Sequence, residues 1–147
     1  MPVKLEPGLV INYDFLWKDE RDKGQTEGKN RPCMIVAIRE VDGLDGDHVY
    51  ILPITHAPPN PKEFGIEVPR SVANRLGLDD GRMWIKTHEV NRVKWPKGRY
   101  PFGVTPNREG RMSYGIMRYD IAEQAYRQVA EQCQSGKIAQ INRDEEV

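Results

Sequence analysis

Arg31 and Thr55 stand at the two open ends of one predicted hairpin. The first arm reads Asn30-Arg31-Pro32-Cys33-Met34-Ile35-Val36-Ala37-Ile38, and the second His48-Val49-Tyr50-Ile51-Leu52-Pro53-Ile54-Thr55. Each apolar run has the length of a buried strand. Asp42-Gly43 and Asp45-Gly46 between them are turn signals. Folding about that turn sets Thr55 opposite roughly residue 34, which leaves Arg31 about three residues further on, roughly 10 Å away at about 3.3 Å per residue. A guanidinium on its flexible stem covers much of that gap. A planar cation beside a hydroxyl is what a phosphate needs. Taken singly, each residue reads equally well as a surface arginine at a strand entrance and a turn threonine after a strand.

Other side chains could join them. His56 follows Thr55 directly, and His88 lies in Lys86-Thr87-His88-Glu89. Histidine titrates near neutrality and can act as acid or base, although each also reads as an ordinary loop or strand residue. No pairing such as His-x-x-x-His supports a metal site, so no metal and no cofactor are expected. Between residues 94 and 111, Lys94, Trp95, Lys97, Arg99, Tyr100, Phe102 and Arg108 interleave cations with rings. Rings stack on unpaired bases while cations track phosphates. The same rings would equally tuck the loop onto the body of the protein.

The elements that must position these residues follow from periodicity and punctuation. Leu9 to Phe15 alternates as a first strand, and Lys18 to Asn30 reads as a long charged solvent loop. After the hairpin, Ala57-Pro58-Pro59-Asn60-Pro61 must be loop. Phe64 to Val68 is a short strand, and Arg70 to Leu76 a short helix closed by Gly77. Met83 to Thr87 and Glu89 to Val93 are two strands or one bent strand. The prolines and glycines of Lys94 to Arg111 make a second long loop. A final helix begins with Asp120 as cap and Glu123 completing a capping box. Its apolar stripe is Ile121, Ala125, Val129 and Cys133, and Gly136 ends it. The acid-ended tail from Ile138 to Val147 reads as loose. Short strands and a terminal helix predict a mainly β protein with a C-terminal helix, a small, partly open β-barrel.

The chain has 147 residues, enough for one domain spanning residues 1–147, and balances 22 Lys and Arg against 22 Asp and Glu. Formal neutrality argues against a general nucleic-acid coat but leaves room for a locally basic cleft. No apolar run approaches a membrane span and the N-terminus has no signal-peptide core, so a cytoplasmic protein is expected. Cys33 and Cys133 suggest neither a disulfide scaffold nor a metal spacing.

The Arg31-Pro32 entry into a hydrophobic strand and the Pro53-Ile54-Thr55 strand end resemble the MazF/PemK family of toxin endoribonucleases. Pro7 to Phe15 resembles that family's opening strand, and Tyr114-Gly115-Ile116-Met117 is similar to its Ile-Gly-x-Leu before the last helix. The likeness spans roughly residues 6 to 134. It implies an SH3-like barrel of the CcdB/PemK type and metal-independent cleavage of single-stranded RNA that inhibits growth. It also implies a homodimer and a cognate antitoxin whose disordered segment covers the RNA groove.

By this resemblance Arg31 and Thr55 match the family's active-site arginine and threonine. Glu27, before Arg31, stands where members often carry a glutamate that acts as base or orients the arginine. Lys86 and His88 stand where relatives of the PemK type have the arginine and aspartate of Arg-Cys-Asp-Gln. His88 joins Arg31 and Thr55 as the expected catalytic set. Lys86, Glu27, His56, Trp95 and Tyr100 are the expected substrate contacts. Lysine keeps the charge but loses the bidentate fork. The other reading is a non-catalytic interaction module on the same fold, either a CcdB-like gyrase binder or a degenerate regulatory barrel. Arg31 and Thr55 favour the nuclease.

Overall fold

The computed structural model describes residues 3–41, 43 and 45–143. Asp42 of the expected turn and the acidic tail at 144–147 lie outside these residues. Nine strands form one strongly bent sheet: β1 (Leu9–Phe15), β2 (Lys29–Glu40), β3 (Asp47–Thr55), β4 (Gly65–Val68), β5 (Met83–Lys86), β6 (Glu89–Trp95), β7 (Val104–Thr105), β8 (Gly115–Ile116) and β9 (Ala139–Asn142). Three helices accompany it: α1 (Lys18–Asp22), α2 (Arg70–Leu76) and α3 (Tyr119–Gln134). The main path runs β4-β5-β3-β2-β1-β7, with β6 on β3 and β9 on β6. The sheet is of the mainly antiparallel kind expected, with the C-terminal helix, but among the described residues its edges do not close into a barrel.

The sheet lies between two cores. Val10, Met34, Leu52, Ile54 and Ile85 pack with Ile121 and Ala125 of α3 on one side. Ile11, Phe15, Cys33, Ile35, Ile51 and Val93 pack on the other. Successive strand residues alternate faces, so consecutive residues of β1, β2 and β3 feed opposite cores. β1 is therefore buried on both sides rather than on one.

Two breaks in the ladders shape the site end of the sheet. Leu52, not Thr55, lies opposite Met34: the ladder leaves the turn at Glu40↔Asp47, two residues from the expected register, and a bulge between Ile35 and Ala37 adds the third. The β2–β3 ladder then ends at Cys33↔Pro53. On the other edge of β3, pairing with β6 reaches Ile51↔Asn91 and resumes on β5 at Ile54↔Ile85, a slip of three residues. Proline has no N–H for either ladder. Opposite Pro53 the chain leaves β5 after Lys86 and accommodates Thr87-His88 as a bulge before β6.

The bulge is held by its backbone. Thr87 N–H donates to the Phe64 carbonyl at 2.9 Å, and Ala139 N–H donates to the His88 carbonyl at 3.1 Å. Gln132 of α3 donates from Nε2 to the Thr87 carbonyl at 2.7 Å, and the Thr87 hydroxyl meets Gln128 Oε1 at 2.6 Å. Gln132 is buried and Cys133 is exposed, a correction to the expected stripe. At 3.6 residues per turn, steps of four drift steadily, so position 133 has rotated off the face that 121 defines while position 132 has not.

Other departures have similar causes. The expected loop at 18–30 contains α1, whose first turn is tied by Glu20 Oε1 accepting from Trp17 N–H at 3.0 Å. The expected capping box at Asp120 is absent. Arg118 is the cap residue, and Asp120 instead accepts two hydrogen bonds from its guanidinium, at 2.7 and 3.1 Å. The tail expected to be loose supplies β9, which pairs in parallel with β6. No described helix is long and apolar enough to cross a membrane.

Replacing Gln132 by Ala leaves the buried Thr87 carbonyl without its donor and should cost about 1–3 kcal/mol of stability, read by denaturant unfolding. Gly46 has φ of 122°, and a Cβ there would collide with the Trp95 carbonyl. Gly46→Ala should therefore destabilise by about 1–3 kcal/mol, while Gly43→Ala, with nothing near its Cβ, should cost less in the same assay.

Candidate active site

Residues paired across strands, and alternate residues along them, share a face. Cys33↔Pro53 and Thr55↔Trp84 thus put Arg31, Cys33, Pro53, Thr55, Trp84 and Lys86 on one side of the sheet. The β2–β3 register carried two residues past Pro53 sets Arg31 across from Thr55. The two are closer in register than the sequence predicts, because the ladder leaves the turn two residues from the expected register and the bulge takes up one more residue of β2. This row begins in the core at Cys33, whose thiol is pushed far above its usual range by burial, and ends at the polar side chains.

Trp17 closes the end of the row. Its ring meets Phe15 edge-on, with centroids 5.1 Å apart. Two side chains of β6 pin the strand end that carries it. Asn91 accepts from Leu16 N–H at 2.9 Å and donates to the Leu16 carbonyl at 2.8 Å, and Glu89 Oε1 accepts from Lys18 N–H at 2.7 Å. Around the Trp17 ring gather the Arg31 guanidinium at 5.7 Å, Lys86 Nζ at 5.9 Å and the His88 ring at 6.0 Å and 29°. These are cation–π and stacking distances.

Glu63, from the proline-rich loop after β3, enters the same cluster. Its Oε1 lies 2.9 Å from Lys86 Nζ and accepts from Asn60 N–H at 3.0 Å. Its Oε2 lies 3.5 Å from His88 Nε2, and Glu89 Oε2 lies 3.7 Å from the same nitrogen. Burial pushes the Glu63 carboxyl up, but the Lys86 and Asn60 hydrogen bonds outweigh it and hold the group below the usual carboxylate range. Burial wins at Glu89, which is raised despite the Lys18 N–H. Two carboxyl groups with opposite shifts thus face one imidazole nitrogen.

The cations differ in their freedom. Lys86 is only 6% exposed and is matched by Glu63, so it is an internal counterion rather than an open phosphate contact. The Arg31 side chain makes no hydrogen bond or ion pair with any described residue, and its Nε is buried without a partner. It lines a groove of about 680 Å³ whose wall also carries Arg108 and the carboxyl groups of Asp79, Asp80 and Glu109. A half-buried guanidinium with no ion pair among the described residues can take up an anion. Thr55 is 8% exposed, and its hydroxyl donates to the Ala57 carbonyl and accepts from the Ala57 N–H, both at 3.1 Å. It fastens the start of the loop that carries Glu63, the turn role its position also allowed.

Four expected contacts lie elsewhere. Glu27 is exposed and lines a separate groove with Phe102 and Thr105. His56 Nδ1 is 3.0 Å from the Arg82 carbonyl and its Nε2 is 3.9 Å from Asp79. Trp95 is buried in the second core, and Tyr100 stands edge-on to it at 6.0 Å with its hydroxyl accepting from Val3 N–H at 2.9 Å. Their rings fasten the loop to the sheet, which corrects the expectation that they stack on bases. Trp17, Glu63 and Glu89 were not read as site residues. No motif marks them, and only the run Trp17-Lys18 after a strand hinted at a ring beside charge. Among the described residues no group of His, Cys, Asp and Glu is arranged to hold a metal ion.

Because the folded chain lowers the Glu63 pKa, protonation favours the unfolded state. The stability this group contributes is full above the ordinary carboxylate pKa and declines as pH falls through the lowered value. Urea unfolding across acid pH should show that decline, and Lys86→Met should flatten it by removing the interaction that lowers the pKa.

The profile of one family matches residues 8–104, well over half of the chain, and the match contains β1 to β6, Arg31, Thr55, Lys86 and His88. No curated protein and no solved structure gives a significant match. With the sheet, the free arginine and the family profile in agreement, the chain belongs to the PemK-like, MazF-like toxins of type II toxin–antitoxin systems, a membership that implies an antitoxin partner.

Proposed function

We propose that this toxin is an endoribonuclease that cuts single-stranded RNA. The 2′-oxygen attacks the neighbouring phosphorus as its proton passes to a base. The bond to the 5′-oxygen breaks and that oxygen takes up a proton. The products are a 2′,3′-cyclic phosphate and a 5′-hydroxyl. The observation that carries this reading is the uncompensated Arg31 guanidinium on the groove wall, placed to stabilise the phosphorane. His88 handles protons. Thr55 holds the neighbouring loop and, by turning its hydroxyl from Ala57, can donate to a phosphoryl oxygen. Lys86 acts through Glu63 rather than on the substrate. The same reading carries a homodimer with RNA across the dimer face, and an antitoxin segment that covers the Arg31 groove and so relieves growth inhibition.

The test is incubation of the purified protein with mixed RNA in excess chelator, followed by mapping of the ends. Cleavage leaving 5′-hydroxyls is expected. Arg31→Ala should lose on the order of 100- to 1,000-fold in rate, as for other preorganised donors to a developing charge, and His88→Ala should also slow cleavage. Thr55→Ala should lose less, since its hydroxyl is already engaged. A folded protein that cuts no RNA yet captures a protein target would overturn this reading in favour of the non-catalytic module.

A further inference from the structure

We propose that Glu63 is a positioning residue that fixes the His88 imidazole in one orientation, with its proton on Nε2 and Nδ1 left as the acceptor. The proposal rests on the nuclease reading for its catalytic meaning but not for its geometry. One Glu63 oxygen is occupied by Lys86 Nζ at 2.9 Å and by Asn60 N–H at 3.0 Å. The other faces His88 Nε2 at 3.5 Å. This is an ion-pair contact, and an ionised carboxylate only accepts, so it favours the proton on the facing ring nitrogen. The buried Lys86 ammonium keeps Glu63 in that acceptor state. Glu89 is farther from Nε2, at 3.7 Å, and its other oxygen is committed to Lys18 N–H.

The remaining nitrogen agrees. His88 Nδ1 is buried and has no partner among the described residues, as expected of an acceptor kept in reserve. The groups that face the ring are Glu63 from the loop after β3, Glu89 from β6 and Trp17 just beyond β1, and the Trp17 ring also meets Arg31 and Lys86. A carboxylate that sets the tautomer of a histidine through one nitrogen is a recurrent device. Here the carboxylate comes from a loop with no acid-base motif, and the histidine from the short link between β5 and β6.

The experiment is nitrogen NMR of the imidazole in protein labelled at histidine, read as tautomer populations near neutral pH, together with RNA cleavage. Wild type should show His88 protonated on Nε2. Glu63→Gln should mix the two tautomers and lower kcat by on the order of 10-fold or more, with KM changed far less. Glu63→Asp should recover part of both. Should Glu63→Gln fail to fold because Lys86 is left buried and unpaired, the double variant Glu63→Gln/Lys86→Met removes that charge and carries the NMR arm. An unchanged tautomer in either folded variant, or wild-type protonation on Nδ1, would overturn the proposal. A wild-type protein inert toward RNA would sink the nuclease reading alone, since the NMR arm decides Glu63 without it.

Discussion

The site depends on one residue that cannot donate a hydrogen bond. At Pro53 the pairing of β3 with β2 ends, and on the opposite edge its partner slips by three residues between β6 and β5. Without that break, Thr87 and His88 would continue the strand of Lys86 as regular residues with alternating faces. With it, they form a bulge whose backbone is tied off by Phe64, Ala139 and Gln132. Bulges re-aim side chains and store no disorder, provided their backbone groups find partners elsewhere. α3 supplies one of those partners through a buried glutamine, so the helix both covers a core and holds the bulge.

Charge is distributed unevenly over the result. Lys86 is neutralised at short range, and His88 lies between two carboxyl groups whose surroundings push them apart. Arg31 alone reaches the groove without a counterion. An unpaired, half-buried cation costs stability that a paired one does not. Such a cost is tolerated where a ligand of opposite charge is to be bound. Trp17 reduces it, since the ring face attracts a cation without neutralising it.

Much of the framework was legible in the sequence. β1 and α2 were read at their observed limits, with Gly77 in the left-handed conformation that ends α2. A strand needs only alternation and punctuation to be seen. α1 was missed because Lys18 to Asp22 is polar throughout and buries nothing, leaving no periodicity to detect. β9 was missed because four residues with one buried side chain, Ile141, are a strand only beside β6. Trp95 and Tyr100 looked like stacking platforms because a ring between cations reads the same whether it points outward or into a core.

By itself the sequence determined most of the strands, two of the helices and the family, because these lie in local patterns and short motifs. The tertiary structure alone decided which of the remaining polar residues share a site. Glu63, Trp17 and the pair Lys86 and His88 come from three separate segments, and their meeting is set by strand register, a proline break and a buried glutamine. Register is a property of pairs of strands far apart in the chain, and one residue of slip moves a side chain to the opposite face. That is why the composition of the site could be partly named in advance, while its electrostatics, with one free arginine and one locked lysine, could not.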